Sequence, residues 1–225
     1  MKRGGVPFDS RYFAKLQQKG ESFDVEDTFR KIYQSNHWSG LKTASGIGSD
    51  DDQTREISIQ IPKLIHELDI KHFCDVPCGD FYWFSKLSIP LKSYVGGDIL
   101  QEIVQRNNQL YKNQWRKFIQ LDIIRDPLPE ADILLCRDCL VHLSTKDILK
   151  TIRNIKTSNI TFLLTTTFTE CKENEDITTG DWRIINLELP PFNFPKPLRL
   201  INEKCTEAGG TYADKCLGLW KISDL

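Results

Sequence analysis

The chain has 225 residues, 40% of them hydrophobic and 27% charged, with 30 Lys and Arg against 31 Asp and Glu. That length favours one domain with a sizeable core. The near-zero net charge excludes a general electrostatic pull toward nucleic acid or anionic lipid, and no apolar run approaches a membrane span.

The basic start Met1-Lys2-Arg3 is not followed by the apolar stretch of a secretory signal. Seven cysteines do not make a disulfide scaffold here, and Cys74, Cys136 and Cys139 sit in or beside apolar strand-like runs. A reducing, cytoplasmic setting is therefore expected. The pairs Cys74/Cys78 and Cys136/Cys139 have spacings that could assemble a four-thiolate zinc site. Both fall inside motifs with another explanation, so no metal is expected.

In chain order, residues 1–20 are polar and read as loosely held. A short helix follows Asp24, with Asp27 in its first turn and Phe29, Ile32 and Tyr33 on one face. Next come Asn36-His37-Trp38-Ser39-Gly40 and Ser45-Gly46-Ile47-Gly48-Ser49. This glycine- and hydroxyl-rich run suits either a surface connection or, preferred here, a lid with Trp38 as its apolar cover. Residues 53–68 are helical in pattern, through Ile57, Ile61, Leu64, Ile65 and Leu68, with Pro62 expected to kink the helix or start a second one. His66 falls among these core positions and reads as structural.

Then strands alternate with helices. Strand character runs over 72–76, 93–97, 118–121, 131–136 and 160–167, with helices expected at 81–87, after Leu100 and after Ser144. Ile103, Val104 and Leu110 should share the inner face of the second of these, and Ile148, Leu149, Ile152 and Ile155 that of the third. Strands apolar on both faces imply a parallel sheet covered on both sides. Residues 170–197 read as a long ordered excursion. Two further strands, near 198–205 and 216–222, would form an antiparallel edge.

In such sheets ligands bind beyond the carboxyl ends of the strands. Asp75–Asp80, Asp98, Asp122 and Cys136–His142 all lie there. Asp98 suits bidentate hydrogen bonding to two ribose hydroxyls, and Asp122 can accept from the exocyclic amine of adenine. There is no G-x-G-x-x-G and no phosphate-binding G-x-x-x-x-G-K-[ST], and Asp80 would repel phosphate. A nucleoside without a phosphate tail is the expected ligand.

The set Asp75-Val76-Pro77-Cys78-Gly79-Asp80, Asp98, Leu121-Asp122-Ile123 and Cys136-Arg137-Asp138-Cys139-Leu140-Val141-His142-Leu143 resembles the class I S-adenosylmethionine-dependent methyltransferases over roughly residues 70–222. That family usually has another glycine where Phe81 stands. The resemblance implies a Rossmann-like, doubly wound mixed sheet of seven strands with a late antiparallel strand. It implies S-adenosylmethionine as donor and S-adenosylhomocysteine as product. Asp75, Pro77 and Gly79 would hold the methionine end, Asp98 with Ile99 the ribose, and Asp122 and Ile123 the adenine. Cys136 and Arg137 would line the pocket after the fourth strand. Residues 1–55 then form a helix and lid, and 56–225 the catalytic part of one globular unit.

Transfer to a hydroxyl needs a base. If the chain turns helical after Arg137, Asp138 and His142 lie four residues apart on one face and form the preferred pair. Alternatively His142 caps the following helix and Asp138 braces a turn. His37 is the second choice of base. Arg137 is expected to pair with an acid of the N-terminal loop or to hold an acceptor carboxylate. Trp182 and Arg183, with His37 and Trp38, are the expected acceptor-binding residues, since an aromatic ring with polar neighbours suits a sugar. A broader resemblance to compact methyltransferases of sugar hydroxyls points the same way. Other readings are a nucleic-acid base or protein side chain as acceptor, a non-catalytic binding subunit, and a nicotinamide-dependent dehydrogenase.

Overall fold

The computed structural model describes residues 8–39 and 42–225. Helices α1 (Tyr12–Gln18), α2 (Val25–Ser35) and α3 (Asp51–Glu67) precede a sheet that begins with β1 (His72–Asp75). Then come β2 (Ser93–Asp98), α4 (Gln101–Tyr111), β3 (Arg116–Gln120), β4 (Ile133–Cys136), α5 (Thr145–Lys156), β5 (Phe162–Phe168), β6 (Arg199–Asn202) and β7 (Lys215–Lys221). The seven strands lie in the order β3-β2-β1-β4-β5-β7-β6. The first five are parallel, and β7 runs antiparallel to both β5 and β6. Strand order reverses between β1 and β4, which places a crevice at their carboxyl ends.

Side-chain alternation explains the two-sided core. Cys74, Leu134, Cys136 and Leu163 join α5 through Ile148 and Ile155. Phe73, Ile133, Leu135 and Leu164 meet Ile57, Ile61, Leu64 and Ile65 of α3 and Val104 of α4 on the other face. Successive residues of one strand therefore feed opposite layers, as the pleat requires.

Five expectations are corrected. Residues 81–87 form no α-helix but a turn with one 3₁₀ segment at Phe84–Lys86. Phe81 sits at φ 59° and inserts among Tyr94, Tyr111 and Phe118, so packing of the ring overrides local helix pattern. Far from being loosely held, residues 12–18 form α1, which buries Phe13 and Leu16 and is capped from a distance: Asp181 accepts from the Phe13 and Ala14 amides at 2.7 and 3.1 Å. Helix α3 is continuous through Pro62. An interior proline costs about 3 kcal/mol. Full burial of Ile57, Ile61, Leu64 and Ile65 on both sides of it, at about 1.5–3 kcal/mol each, outweighs that. Leu110 and His66 face outward rather than into the core.

The excursion between β5 and β6 contains neither helix nor strand. Asn174 holds it, donating to the Asn186 and Pro190 carbonyls at 2.9 Å and accepting from the Asn186 amide at 2.9 Å. All seven cysteines are unpaired and buried. No group of three or more metal-ligating side chains converges among the described residues. No helix of the described residues is long and apolar enough to cross a membrane.

Candidate functional site

At the crevice, Asp98 ends β2 with each carboxylate oxygen accepting one backbone amide, from Gly79 at 3.1 Å and from Leu100 at 3.0 Å. Each oxygen keeps a lone pair for a ligand. Burial pushes Asp98 up to about 6 and Asp75 up to about 7, although Tyr94 donates to Asp75 at 2.6 Å. Neither carboxylate has a cationic partner among the described residues. Asp122, past the end of β3, is also raised by burial; it accepts from the Ile124 amide at 2.9 Å and pairs with Arg125 at 3.1 Å. The three line one cavity of about 120 Å³ with apolar Phe29, Leu100, Ile103, Ile123 and Leu143.

A strap from the N-terminal segment covers this cavity. Asp80 accepts from the Ala44 amide at 2.7 Å and the Thr43 hydroxyl at 2.8 Å, which fixes the strap to the loop after β1. Gly79 has φ 53°, and a Cβ there would come within 2.2 Å of Ser45 Oγ. Only glycine permits that approach.

Beyond the strap lies a second cavity of about 310 Å³, bounded by Phe8, Trp38, Phe168, Trp182, Tyr212, Glu207 and Lys215. The two cavities share Trp38, Ser45, Asp138 and His142 as a common wall. In that wall the His142 and Trp38 rings pack against each other, tilted by 33° with centroids 4.6 Å apart. The indole Nε1 of Trp38 is buried and without a partner among the described residues. His142 Nδ1 lies 3.0 Å from the Asp181 carbonyl, which can only accept, so Nδ1 carries the proton and Nε2 the lone pair. Burial lowers His142 to about 4, so the ring is neutral at pH 7.

Asp138 belongs to a different network. It sits at φ 50° after β4, which breaks any helix and takes it out of hydrogen-bonding register with His142. Its Oδ2 accepts from Lys215 at 2.7 Å and forms an ion pair with Arg137 at 3.2 Å. Burial acts to raise Asp138, but Arg137 and Lys215 prevail and hold it at about 2. Arg137 also grips Glu203, 1% exposed, at 2.6 Å and the Gly48 carbonyl of the strap at 2.8 Å. Two cations and two carboxylates thus neutralise one another beneath the second cavity.

No protein-family model matches the sequence, and no curated protein aligns with it. Solved structures do. Human N-acetylserotonin methyltransferase in complex with SAM superposes with a TM-score of 0.63 at 14% identity, over 95% of this chain and 63% of that one. Magnesium protoporphyrin IX methyltransferase from Synechocystis PCC 6803, with bound SAM, gives 0.57 at 16% identity, over 89% and 98%. The N-methyltransferase NodS from Bradyrhizobium japonicum WM9 gives 0.58 at 15%, over 76% and 97%. The chain has the class I S-adenosylmethionine-dependent methyltransferase fold. It spans less than two thirds of the human enzyme's length.

Within that fold the structure brings Asp75, Pro77, Gly79, Asp98, Ile99, Asp122, Ile123 and Arg137 to the first cavity. Cys136 is left out: it packs in the core, and Cys139 takes the lining position. Trp38 and Trp182 reach the second cavity, whereas His37 and Arg183 reach neither. His37 is buried against Tyr12 and Phe8, and Arg183 spends its guanidinium on the Leu140 and Leu143 carbonyls, both at 2.7 Å. Arg137 pairs with Glu203 and Asp138 instead of with an acid of the N-terminal loop. Lys215, Glu203, Glu207 and Tyr212 were not foreseen. An isolated Lys or Glu near the end of a chain reads as solvated surface; the only signal was that Lys215 opens an apolar strand.

Proposed function

We propose that the protein is an S-adenosylmethionine-dependent methyltransferase acting on a hydroxyl of a small molecule, a sugar hydroxyl among them. The observation that carries this reading is the pair of cavities back to back at the switch point of the sheet, divided by Trp38, Ser45, Asp138 and His142.

The first cavity fits the donor chemically. Asp75 and Asp98 are buried carboxylates without cationic partners, so a ligand with an ammonium group and vicinal hydroxyls relieves their desolvation. Asp98 keeps lone pairs for two ribose hydroxyls, Asp122 faces the adenine end, and Leu100, Ile103 and Ile123 supply apolar walls. When bound, S-adenosylmethionine supplies an electrophilic methyl carbon on a sulfonium. The chain's own task is then to orient the acceptor and take its proton. His142 is the base in this reading: Asp181 fixes its tautomer, Nε2 carries the lone pair, and burial keeps it unprotonated at neutral pH. Asp138, locked at low pKa by Arg137 and Lys215, positions rather than abstracts. Trp182 offers a ring face to a sugar, and the orphan indole N–H of Trp38 offers a donor.

The test is calorimetry with S-adenosylhomocysteine, followed by a labelled-donor transfer screen over nucleotide sugars, oligosaccharides and small phenols. Absence of product binding by the wild-type protein overturns the assignment. Binding with transfer confined to nucleobases or protein side chains overturns the acceptor class alone.

A further inference from the structure

The charges around the second cavity do not cancel. Arg137, Lys215, Asp138 and Glu203 balance one another within a closed set of ion pairs. Glu207 stands outside that set. It lines the cavity half-buried, its hydrogen bond is a weak one from the Cys205 thiol at 3.5 Å, and it forms no ion pair among the described residues. Its carboxylate converges with the others on Gly48, where a Cβ would lie 3.4 Å from Glu207 Oε2, 3.4 Å from Asp138 Oδ2 and 3.8 Å from Lys215 Nζ. With His142 neutral, Arg137, Lys215, Asp138, Glu203 and Glu207 leave one net negative charge, and Glu207 meets Arg137 only through space, without an ion pair.

Five aromatic rings stand in the remaining wall, beside Ile47, Ala208 and small strap residues. Trp182 and Tyr212 meet at 5.0 Å and 66°, Phe8 lies 6.5 Å from Trp182, and Trp38 closes the side toward the donor cavity. Ring faces and a partly desolvated carboxylate together select a cation whose charge is spread over an alkylated or protonated nitrogen. A second carboxylate as ligand meets the opposite: Glu207 repels it, and Lys215 is already committed to Asp138 at 2.7 Å.

We propose that this cavity binds a small organic ammonium ion, so that the acceptor carries a protonated or quaternary amine seated against Glu207 between the aromatic rings. The assignment of that ion as acceptor rests on the methyltransferase reading; the cation site itself does not.

The experiment is calorimetric titration with three ammonium probes, each against an uncharged counterpart: tyramine against N-acetyltyramine, glucosamine against N-acetylglucosamine, and choline against its neutral carbon isostere. Each titration is run with and without saturating S-adenosylhomocysteine. At least one ammonium probe should bind roughly tenfold tighter than its counterpart, the size expected for a cation in a partly dry aromatic site. Glu207→Gln should abolish that preference and leave S-adenosylhomocysteine affinity as it was. Equal affinity within all three pairs, no binding of any ammonium probe, or a preference that survives in Glu207→Gln overturns the proposal. A protein that discriminates the amines but fails to bind S-adenosylhomocysteine keeps the cation site and loses the methyltransferase reading.

Discussion

The two cavities are built by different means from opposite halves of the sheet. The first is assembled from turns at strand ends: each acid stands at or just past one, and the amides of Leu100 and Ile124, two residues on, hold Asp98 and Asp122. The second is assembled from distant pieces, with Lys215 of β7 and Glu203 after β6 reaching Arg137 and Asp138 across 66 and more residues of sequence. One site holds two buried carboxylates, Asp75 and Asp98, with no ion pair, whereas Arg137, Lys215, Asp138 and Glu203 of the other are already paired and leave only Glu207 over. The first should therefore respond to ligand and pH, and the second to mutation of any one member.

The largest expected effect is on that paired set. Glu203→Ala strips the carboxylate from between two buried cations and should destabilise the fold by about 3–5 kcal/mol in urea denaturation, the range for breaking a buried pair. A loss under about 1 kcal/mol would mean that the network is solvated and the contrast with the first cavity false. His142→Ala should lower turnover by roughly a hundredfold or more while S-adenosylhomocysteine still binds. Unchanged turnover would shift the base elsewhere, and Asp138 would be the next group to test. Asp98→Ala should weaken S-adenosylhomocysteine by about 2–3 kcal/mol, roughly a hundredfold, through loss of charge-assisted hydrogen bonds.

Smaller effects come from pH. Asp98 at about 6 and Asp75 at about 7 are partly protonated near neutrality, and a cationic ligand favours their charged forms. Affinity for S-adenosylhomocysteine should rise roughly severalfold between those values, with proton release on binding that shows as an apparent enthalpy varying with the buffer's ionisation heat. The same two acids bind more protons folded than unfolded, so their contribution makes the ligand-free protein less stable as pH climbs through that window. His142 acts with opposite sign. Its folded value of about 4 lies below the ordinary 6.5, so the unfolded chain binds the extra proton and stability gains as pH rises between the two. Denaturation of His142→Asn across that window should show the gain removed.

How much of this was legible in the sequence follows the same division. Asp75, Asp98 and Asp122 were readable because each closes an apolar strand, and strand periodicity alone sends them to one rim. The sheet was readable for the same reason, since Phe73 and Cys74, or Leu134 and Leu135, are apolar in succession and need cover on both sides. The pairing of Asp138 with His142 misled because it assumed a helix, and a left-handed residue at Asp138 cannot be read from one aspartate. His37 and Arg183 misled because chemistry-bearing side chains also serve as packing and as bolts for carbonyls. Glu203 and Lys215 were invisible because their neutralisation depends on the order β4-β5-β7-β6, which inserts the last strand next to β5 and so brings it toward residues after β4 that are far from it in sequence.

Asp181 performs two jobs in one residue. Its carboxylate grips the start of α1, and its carbonyl takes the Nδ1 proton of His142. The leading helix is thereby wired to the protonation geometry of an imidazole on the far side of the chain. A molecule whose first helix has not docked loses the anchor that selects one ring nitrogen over the other; with His142 as the proposed base, an incompletely assembled copy should also be an inactive one.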